Sequence, residues 1–403
     1  MVKSKQKLRR RLSLNLLVLY GLGNILGAGI YVLVGEVANR AGSFLPVSFV
    51  LANLVAALSA YSFAKLSSAY PTSGGEAAYV QAAFKNKLLP LVTGLGIALS
   101  GIISSATLSK GFIGYFHQFI PDLSPVVILF GLIGLMAIFA TNQVDRAIKI
   151  AGAMTWLEII GLIGVIIFGT LYIKSNQKPL DINLNPNDII GNLGIIISGS
   201  FIAFYAYLGF EDMSNVAEEV KSPEKNMPRG IYISLIIAGI VYLLVGIIAQ
   251  TTLGTEALAK TNAPLSDVFK LATGVDFNIL GLIGLAAITN GVLIQIIMVS
   301  RLIYGVNRDH PWMGFSLLQK LNRNNVPARI TLASAIIIFI LTNLFDLSTL
   351  ASITSTILLA IFGLVNLSLI KLSLDKKLPL GKSIWIPILA LIANAILIFF
   401  SLH

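Results

Sequence analysis

Tyr20-Gly21-Leu22-Gly23-Asn24-Ile25-Leu26-Gly27-Ala28-Gly29-Ile30 and Ala203-Phe204-Tyr205-Ala206-Tyr207-Leu208-Gly209-Phe210-Glu211 are two hydrophobic stretches broken by glycine near their middles. A helix crossing a bilayer normally keeps every backbone N–H and C=O in its own hydrogen bonds. An interruption at mid-depth is therefore tolerated only where the freed groups face protein, ligand or water. Two interruptions, one near the start of the chain and one near its midpoint, point to a binding site at the membrane centre.

The rest of the chain supports a membrane setting. Of its 403 residues 56% are hydrophobic and only 12% charged, against about 25% charged in soluble domains. Runs long enough to span, by the criterion of about 20 apolar residues, recur from end to end. We count eleven: Leu14–Val37, Phe44–Leu66, Leu88–Phe112, Pro125–Thr141, Ala147–Ile173, Ile189–Ala217, Gly230–Thr252, Phe277–Tyr304, Ile330–Leu344, Leu347–Leu372 and Ile384–Ser401. The ninth is short and parted from the tenth only by a turn at Phe345 and Asp346, so ten or twelve are the neighbouring counts.

The net charge of +11 is distributed for a bilayer rather than for nucleic acid. With the N-terminus inside, only Arg40, Lys110, Lys174, Lys178, Lys260 and Lys270 fall outside, leaving 23 of the 29 Lys and Arg on the cytoplasmic side. This is the positive-inside pattern. Lys3, Lys5, Lys7, Arg9, Arg10 and Arg11 read as a topogenic anchor, and the apolar stretch after them is too long for a cleaved signal peptide. The expected setting is the plasma membrane, multi-pass, with the N-terminus cytoplasmic and the C-terminus outside. Cysteine is absent, which excludes disulfides, thiolate metal sites and cysteine nucleophiles.

If the breaks in spans one and six are equivalent, spans one to five (14–173) and six to ten (189–372) are two repeats. Five is odd, so their orientations are opposite. Residues 1–13 form a basic cytoplasmic N-terminus and 384–403 an added span. Between spans, Glu76 to Lys87 follows Pro71-Thr72-Ser73-Gly74-Gly75 and reads as a short amphipathic helix on the cytoplasmic surface. Pro264 to Thr273 reads as a short helix over the outer entrance, and Asp309 to Pro327 as a loop.

Gly21, Gly23 and Gly27 superficially match a dinucleotide fingerprint, but no strand precedes them and the spacing is wrong. Gly23 and Gly27 alone make a GxxxG packing seam. Gly27-Ala28-Gly29 adds more helix-breaking than one seam needs. Where a helix unwinds, its second half opens with unpaired N–H groups and the positive dipole end, and its first half closes with unpaired carbonyls. Amides near Ala28, Gly29 and Ile30 can hold a carboxylate; carbonyls of Ile25, Tyr205 and Leu208 can hold an ammonium. That is two-ended recognition of an α-amino acid zwitterion without a charged side chain.

Gly27-Ala28-Gly29-Ile30 after Gly21-x-Gly23-Asn24, Tyr70 to Gly75, Phe204 to Glu211, Glu218 to Ile231, and Ser300-Arg301-Leu302-Ile303-Tyr304 with Arg308-Asp309 resemble, in order and over almost the whole chain, the motifs of amino acid permeases of the amino acid, polyamine and organocation transporter superfamily. The resemblance implies an all-α polytopic membrane protein with a LeuT-like 5+5 inverted repeat, discontinuous spans one and six, and about eleven transmembrane helices. It implies a substrate site between those spans, flanked by spans three, eight and ten. Most members have twelve spans; eleven here would place the C-terminus outside, and the chain as monomer or homodimer is left open.

Glu158 lies near mid-bilayer in span five, where an ionisable group costs about 2.5 to 3.5 kcal/mol on insertion scales. Many proton-coupled members resemble one another in carrying a lysine in this region, in place of a sodium ion between spans one, five and eight. Here glutamate stands there, to accept a coupling proton, to help hold a cation, or to hydrogen-bond a neighbouring helix as a neutral acid. Thr289 and Asn290 of span eight are its candidate partners, and Asn24 a further gating candidate. Glu211 and Asp212 follow the second break, for a proton, for the cytoplasmic pathway or for freed amides. Ser104 and Ser105 border the site or pack, and Ile103 sets side-chain room or packs. Glu218 and Glu219, with Lys221, Lys225 and Arg229, form an ion-pair network or a solvated face.

The leading expectation is a secondary active transporter for amino acids, working by alternating access, proton- or sodium-coupled or exchanging, with polyamines and organic amines as the alternative cargo. No cofactor is expected beyond a coupling ion, H+ or Na+. A membrane enzyme fares badly, because His117, His310 and His403 make no paired metal-ligand spacing. A channel would need a pore lined by polar rings, and an ATP-driven pump a Walker-type loop.

Overall fold

The apolar run from Leu14 folds as two helices, not one. In the computed structural model, which describes residues 10–72, 74–142, 144–275, 278–309, 320–324 and 326–401, α1 (Leu14–Ile25) stops before Leu26 and Gly27, and α2 (Ala28–Ala41) resumes directly after them. The chain continues through α3 (Leu45–Ala69), α4 (Gly75–Ala83), α5 (Leu88–His117), α6 (Pro125–Asn142) and α7 (Val144–Ser175). The second half runs through α8 (Pro186–Gly191), α9 (Leu193–Ala206), a 3-10 stretch (Glu211–Glu219), α10 (Pro223–Leu253), α11 (Thr255–Lys260), α12 (Pro264–Thr273), α13 (Ile279–Asp309), α14 (Ala328–Leu344), α15 (Leu347–Leu374) and α16 (Trp385–Ser401). The N-terminal basic residues up to Arg9, Ser73, Phe277, most of the 309–327 connection, His310 and His403 lie outside the described residues, as do the side chains of Arg146, Lys149 and Arg308.

Among the described residues eight helical segments are long and apolar enough to cross a membrane, with three shorter apolar helices, Leu14–Ile25, Pro125–Thr141 and Ala328–Leu344. Their outward faces are oily: Phe130 is 74% exposed and Ile138 59%, as suits side chains against lipid. Local chemistry sets the ends. Asp346 accepts hydrogen bonds from the Thr349 amide at 2.7 Å and its hydroxyl at 2.9 Å, an N-cap that starts α15 directly after α14 ends. Its carboxyl is held below the usual range, chiefly by that amide bond. Pro223 opens α10 at a position where its missing N–H costs nothing.

Helix packing follows the inverted repeat. α3 packs on α10 and α5 on α13, each the counterpart of the other. The remaining pairs exchange: α5 on α15 with α13 on α7, α5 on α14 with α13 on α6, α1 on α10 with α9 on α3. Even the short helices obey it, since α4 packs on α5 and α15 while α12 packs on α13 and α7. α4 and α12 are thus equivalent elements covering opposite ends of one bundle. α16 lies outside the repeat, against α15, α3 and α9.

One expectation is corrected here. The short helix expected over Glu76 to Lys87 ends at Ala83, and its face of Gly75, Glu76, Tyr79, Val80 and Ala83 is buried against the bundle. The positions i, i+1, i+4, i+5 and i+8 form one helical face. Its amphipathic pattern records packing on protein, not on lipid headgroups.

Candidate functional site

The two breaks meet. A Cβ on Gly209 would lie 2.6 Å from the Asn24 carbonyl oxygen and 2.7 Å from its carbon, and Gly209 itself sits at φ +118°. One on Gly29 would lie 3.2 Å from the Cα of Ala206. The end of α1, the start of α2 and the end of α9 therefore touch backbone to backbone. α2 begins at Ala28 with Gly27 as its N-cap and no side chain on its first amides.

Tyr242 of α10, buried, clasps both first halves. Its one hydroxyl proton is shared between two acceptors, the last carbonyl of α1, Ile25, and, at 3.0 Å, the last of α9, Ala206. Sequence reasoning missed it, since a tyrosine inside Ile240-Val241-Tyr242-Leu243-Leu244 carries no local signal. Tyr242→Phe is expected to leave both carbonyls short of a donor at a cost of about 1–3 kcal/mol, read as a lower melting temperature; unchanged melting would remove the clasp. The Ile25 carbonyl expected to meet an ammonium thus already has one partner. So does that of Tyr205, which accepts the Leu208 amide at 3.1 Å. Each keeps a second lone pair.

Past Gly209 the chain runs as a 3-10 stretch of nine residues, unusually long for that helix type. Asp212, Ser214 and Asn215, poor helix formers that bond locally, favour it. Glu211 folds back so that its Oε2 accepts the Gly209 amide at 2.8 Å, the freed-amide role open to it in the sequence. The carbonyl of Glu219 at its far end accepts the amides of Arg11 and Leu12 at 2.8 and 3.0 Å, so the segment before α1 is pinned to the segment after the second break.

Around this junction lies a cavity of about 110 Å³, on the order of ten waters in size. Asn24, Ile25, Gly27, Ala28, Gly29, Ser104, Glu158, Tyr205, Leu208, Gly209 and Glu211 line it. Asp212, Glu76 of α4, and Asn290, Gln295 and Met298 of α13 join them. Two expected residues do not: Ile30 is fully buried, and Thr289 bonds back to the Leu285 carbonyl within α13 at 2.7 Å. The neighbouring Asn290 reaches Glu158 instead. Ser104 meets the Tyr205 hydroxyl at 2.7 Å, tying α5 to the end of α9, while Ser105 bonds its own helix at Gly101 and Ile103 is buried.

Glu158 is 1% exposed. Its Oε1 accepts from Asn290 Nδ2 at 3.0 Å, and its Oε2 has no hydrogen-bond partner. A Cβ on Gly27 would lie 3.7 Å from that Oε2 and 3.8 Å from the carbonyl oxygens of Asn24 and Gly23, so several oxygens converge at the first break. On one side, the Tyr31 hydroxyl holds the Glu158 carbonyl at 2.7 Å and Tyr115 holds that of Tyr31 at 2.8 Å. Beyond them Asp267 of α12 accepts from Gln118 at 2.8 Å. On the other side, toward the end that carries the N-terminus, the cavity reaches α4. There burial, with the Asp212 charge adding to it, pushes the Glu76 carboxyl up to about 8 against the pull of its own amide.

The family model described as amino acid permease matches residues 12–402. Among curated proteins, the methylthioribose transporter of Bacillus subtilis is 31% identical over 99% of this chain and 89% of its own length. The branched-chain amino acid permease BcaP of the same organism is 27% identical over 91% and 82%. Cationic amino acid transporter 3 of Arabidopsis thaliana, mitochondrial, is 28% identical over 91% and 62%. Among solved structures, a Na+-coupled sialic acid symporter in a substrate-bound outward-open state superposes with a TM-score of 0.60 at 13% identity, over 98% of this chain and 90% of that one. At that identity the likeness is one of fold.

Proposed function

We propose that this chain, which belongs to the amino acid permease family, carries amino acids across the plasma membrane as a cation-coupled secondary transporter working by alternating access. The observation that carries the reading is the face-to-face placement of the two helix breaks at one buried cavity. The substrate carboxylate sits at the uncapped amides of Ala28 and Gly29, at the positive end of the α2 dipole. Its ammonium sits against the remaining lone pairs of the first-half carbonyls.

With the N-terminus cytoplasmic and eleven spans, the cavity reaches toward the cytoplasm past α4, and the tyrosine pair with α12 closes the outer side. The coupling cation, a proton or a sodium ion, is taken at Glu158 Oε2. Alternation then rocks the two break-bearing spans against the rest.

The experiment is uptake of labelled amino acids into liposomes holding the purified chain, beside Gly29→Leu. A leucine there would fill the space between α2 and Ala206. Wild-type protein is expected to accumulate or exchange a substrate that also raises its melting temperature, and the variant to lose that rise. Folded protein that moves none of the proteinogenic amino acids and no polyamine would sink the reading. A variant that keeps its stabilisation would move the carboxylate site elsewhere.

A further inference from the structure

A second concavity lies on the outside of the bundle, between α1 and α10. Leu14, Asn15, Val18, Leu19 and Leu22 of α1 and Ile233 of α10 line a groove of about 310 Å³. The two helices touch along a buried seam behind it: a Cβ on Gly230 would lie 2.6 Å from the Leu17 side chain, and the Ser234 hydroxyl donates to the Val18 carbonyl at 3.3 Å. In front of that seam the side chains stand apart, and the groove opens where Leu16 and Ile233 are exposed, toward lipid.

One end of the groove is basic. Leu12 lies beside Val220 in a parallel bridge, with the Lys221 amide donating to the Leu12 carbonyl at 2.9 Å, so the segment before α1 is fixed against the start of α10. Arg10 and Arg11 on the first segment and Lys221, Lys225 and Arg229 on the second are all exposed. Arg229 stands four residues before Ile233 and Lys225 four before that, so both share the α10 face that Ile233 turns to the groove. The farther one lies about 12 Å along the axis from Ile233. These five basic residues outnumber the acids Glu218, Glu219 and Glu224 beside them, and Lys3, Lys5, Lys7 and Arg9 precede them in the sequence.

Each half has an ordinary explanation when taken alone. Positive charge orients a span, and an apolar face meets lipid. Their junction is the informative part, because the backbone bridge at Leu12 holds the basic end over the mouth of an apolar groove. A molecule that is apolar along its length and anionic at one end matches both. We propose that the groove binds one anionic phospholipid, with an acyl chain along Leu14 to Leu22 against Ile233 and the phosphate among Arg11, Lys225 and Arg229. Such a lipid bridges α1 and α10 at the Leu14 end of α1, as Tyr242 bridges them at the Ile25 end. It therefore braces the twelve-residue helix that ends at the first break. The cargo of the central cavity does not enter the argument.

The test uses the purified full chain in a neutral detergent. It is titrated separately with phosphatidylglycerol, with phosphatidylcholine of the same acyl chains, and with glycerol phosphate; native mass spectrometry counts what stays bound, and melting is followed in parallel. One phosphatidylglycerol per chain is expected, held about ten-fold or more tighter than phosphatidylcholine, the scale of one or two basic side chains beside an anionic lipid. Its binding is expected to raise the melting temperature to a plateau. Ile233→Trp fills the groove without changing charge and is expected to weaken retention about ten-fold, with Leu19→Trp in its place if that variant fails to fold. Arg11→Gln combined with Lys225→Gln is expected to bring phosphatidylglycerol close to phosphatidylcholine.

Phosphatidylcholine held as tightly as phosphatidylglycerol overturns the proposal and leaves a plain lipid-facing groove. A preference for the anionic lipid that survives both tryptophan variants also overturns it, and assigns the preference to the basic surface alone. Glycerol phosphate that displaces the lipid at equal concentration overturns it as well, since the acyl chain would then contribute nothing.

Discussion

Gly209→Ala is expected to abolish transport and substrate-dependent stabilisation, and to lower the melting temperature. Two costs coincide at this residue. At φ +118° a side chain sits in backbone territory that costs of order 1–3 kcal/mol. The new Cβ would also lie 2.6 to 3.0 Å from the backbone and Cβ of Asn24. A flexible side chain could swing away; the carbonyl of Asn24 cannot without moving the end of α1, an overpacking cost of about 1–3 kcal/mol more. Relief therefore comes by parting the two breaks, which displaces the carbonyls and amides that form the site. Geometry lost by about 1 Å is worth about 100-fold in a positioned site.

Gly254→Ala is the control. That glycine lies at φ +85° with nothing within 4 Å of the added carbon, so it meets the backbone cost alone. It is expected to lose stability and keep transport. Wild-type melting and uptake from Gly209→Ala would show that the breaks do not bear on each other.

The contrast between these glycines shows what the sequence can carry. A break is legible because it is local: Gly27, followed by Gly29, lowers helix propensity at that point, and α1 ends at Ile25 with α2 opening at Ala28 after Gly27 as its N-cap. Apolar length is also local, so α14 and α15 lie within a few residues of the runs that announce them. Which groups face one another across the bundle is a property of folding at long range. Tyr242 meets Ile25 from far along the chain, and nothing in the residues around either one announces it. Glu76 has the amphipathic surroundings of a surface helix, yet tertiary packing turns that face onto protein. Asn290 rather than Thr289 reaches Glu158 because one residue is about 100° around a helix, finer than a span boundary read from hydropathy.

Glu158→Gln is expected to remove gradient-driven accumulation, by about 100-fold or more, while exchange of substrate across the membrane stays within a few-fold of wild type. Exchange needs only the loaded carrier to turn over, whereas accumulation needs a cation to enter and leave with each cycle. Glutamine keeps an oxygen for Asn290 Nδ2, now at 3.0 Å from Oε1, and leaves the Tyr31 bond to the backbone carbonyl untouched. Its amide cannot titrate, and it turns a donor toward the oxygens that converge near Gly27, where a cation would meet repulsion. Melting should hold or rise, since a neutral group replaces an acid whose Oε2 lacks a partner. Uptake driven by a pH gradient with sodium absent, and by a sodium gradient with pH clamped, identifies the coupling ion in wild-type protein. Whichever gradient drives it, the variant should no longer respond to that one. A variant that accumulates substrate as the wild type does would place coupling elsewhere, and the unpartnered oxygen at the first break would then be only a buried acid held neutral.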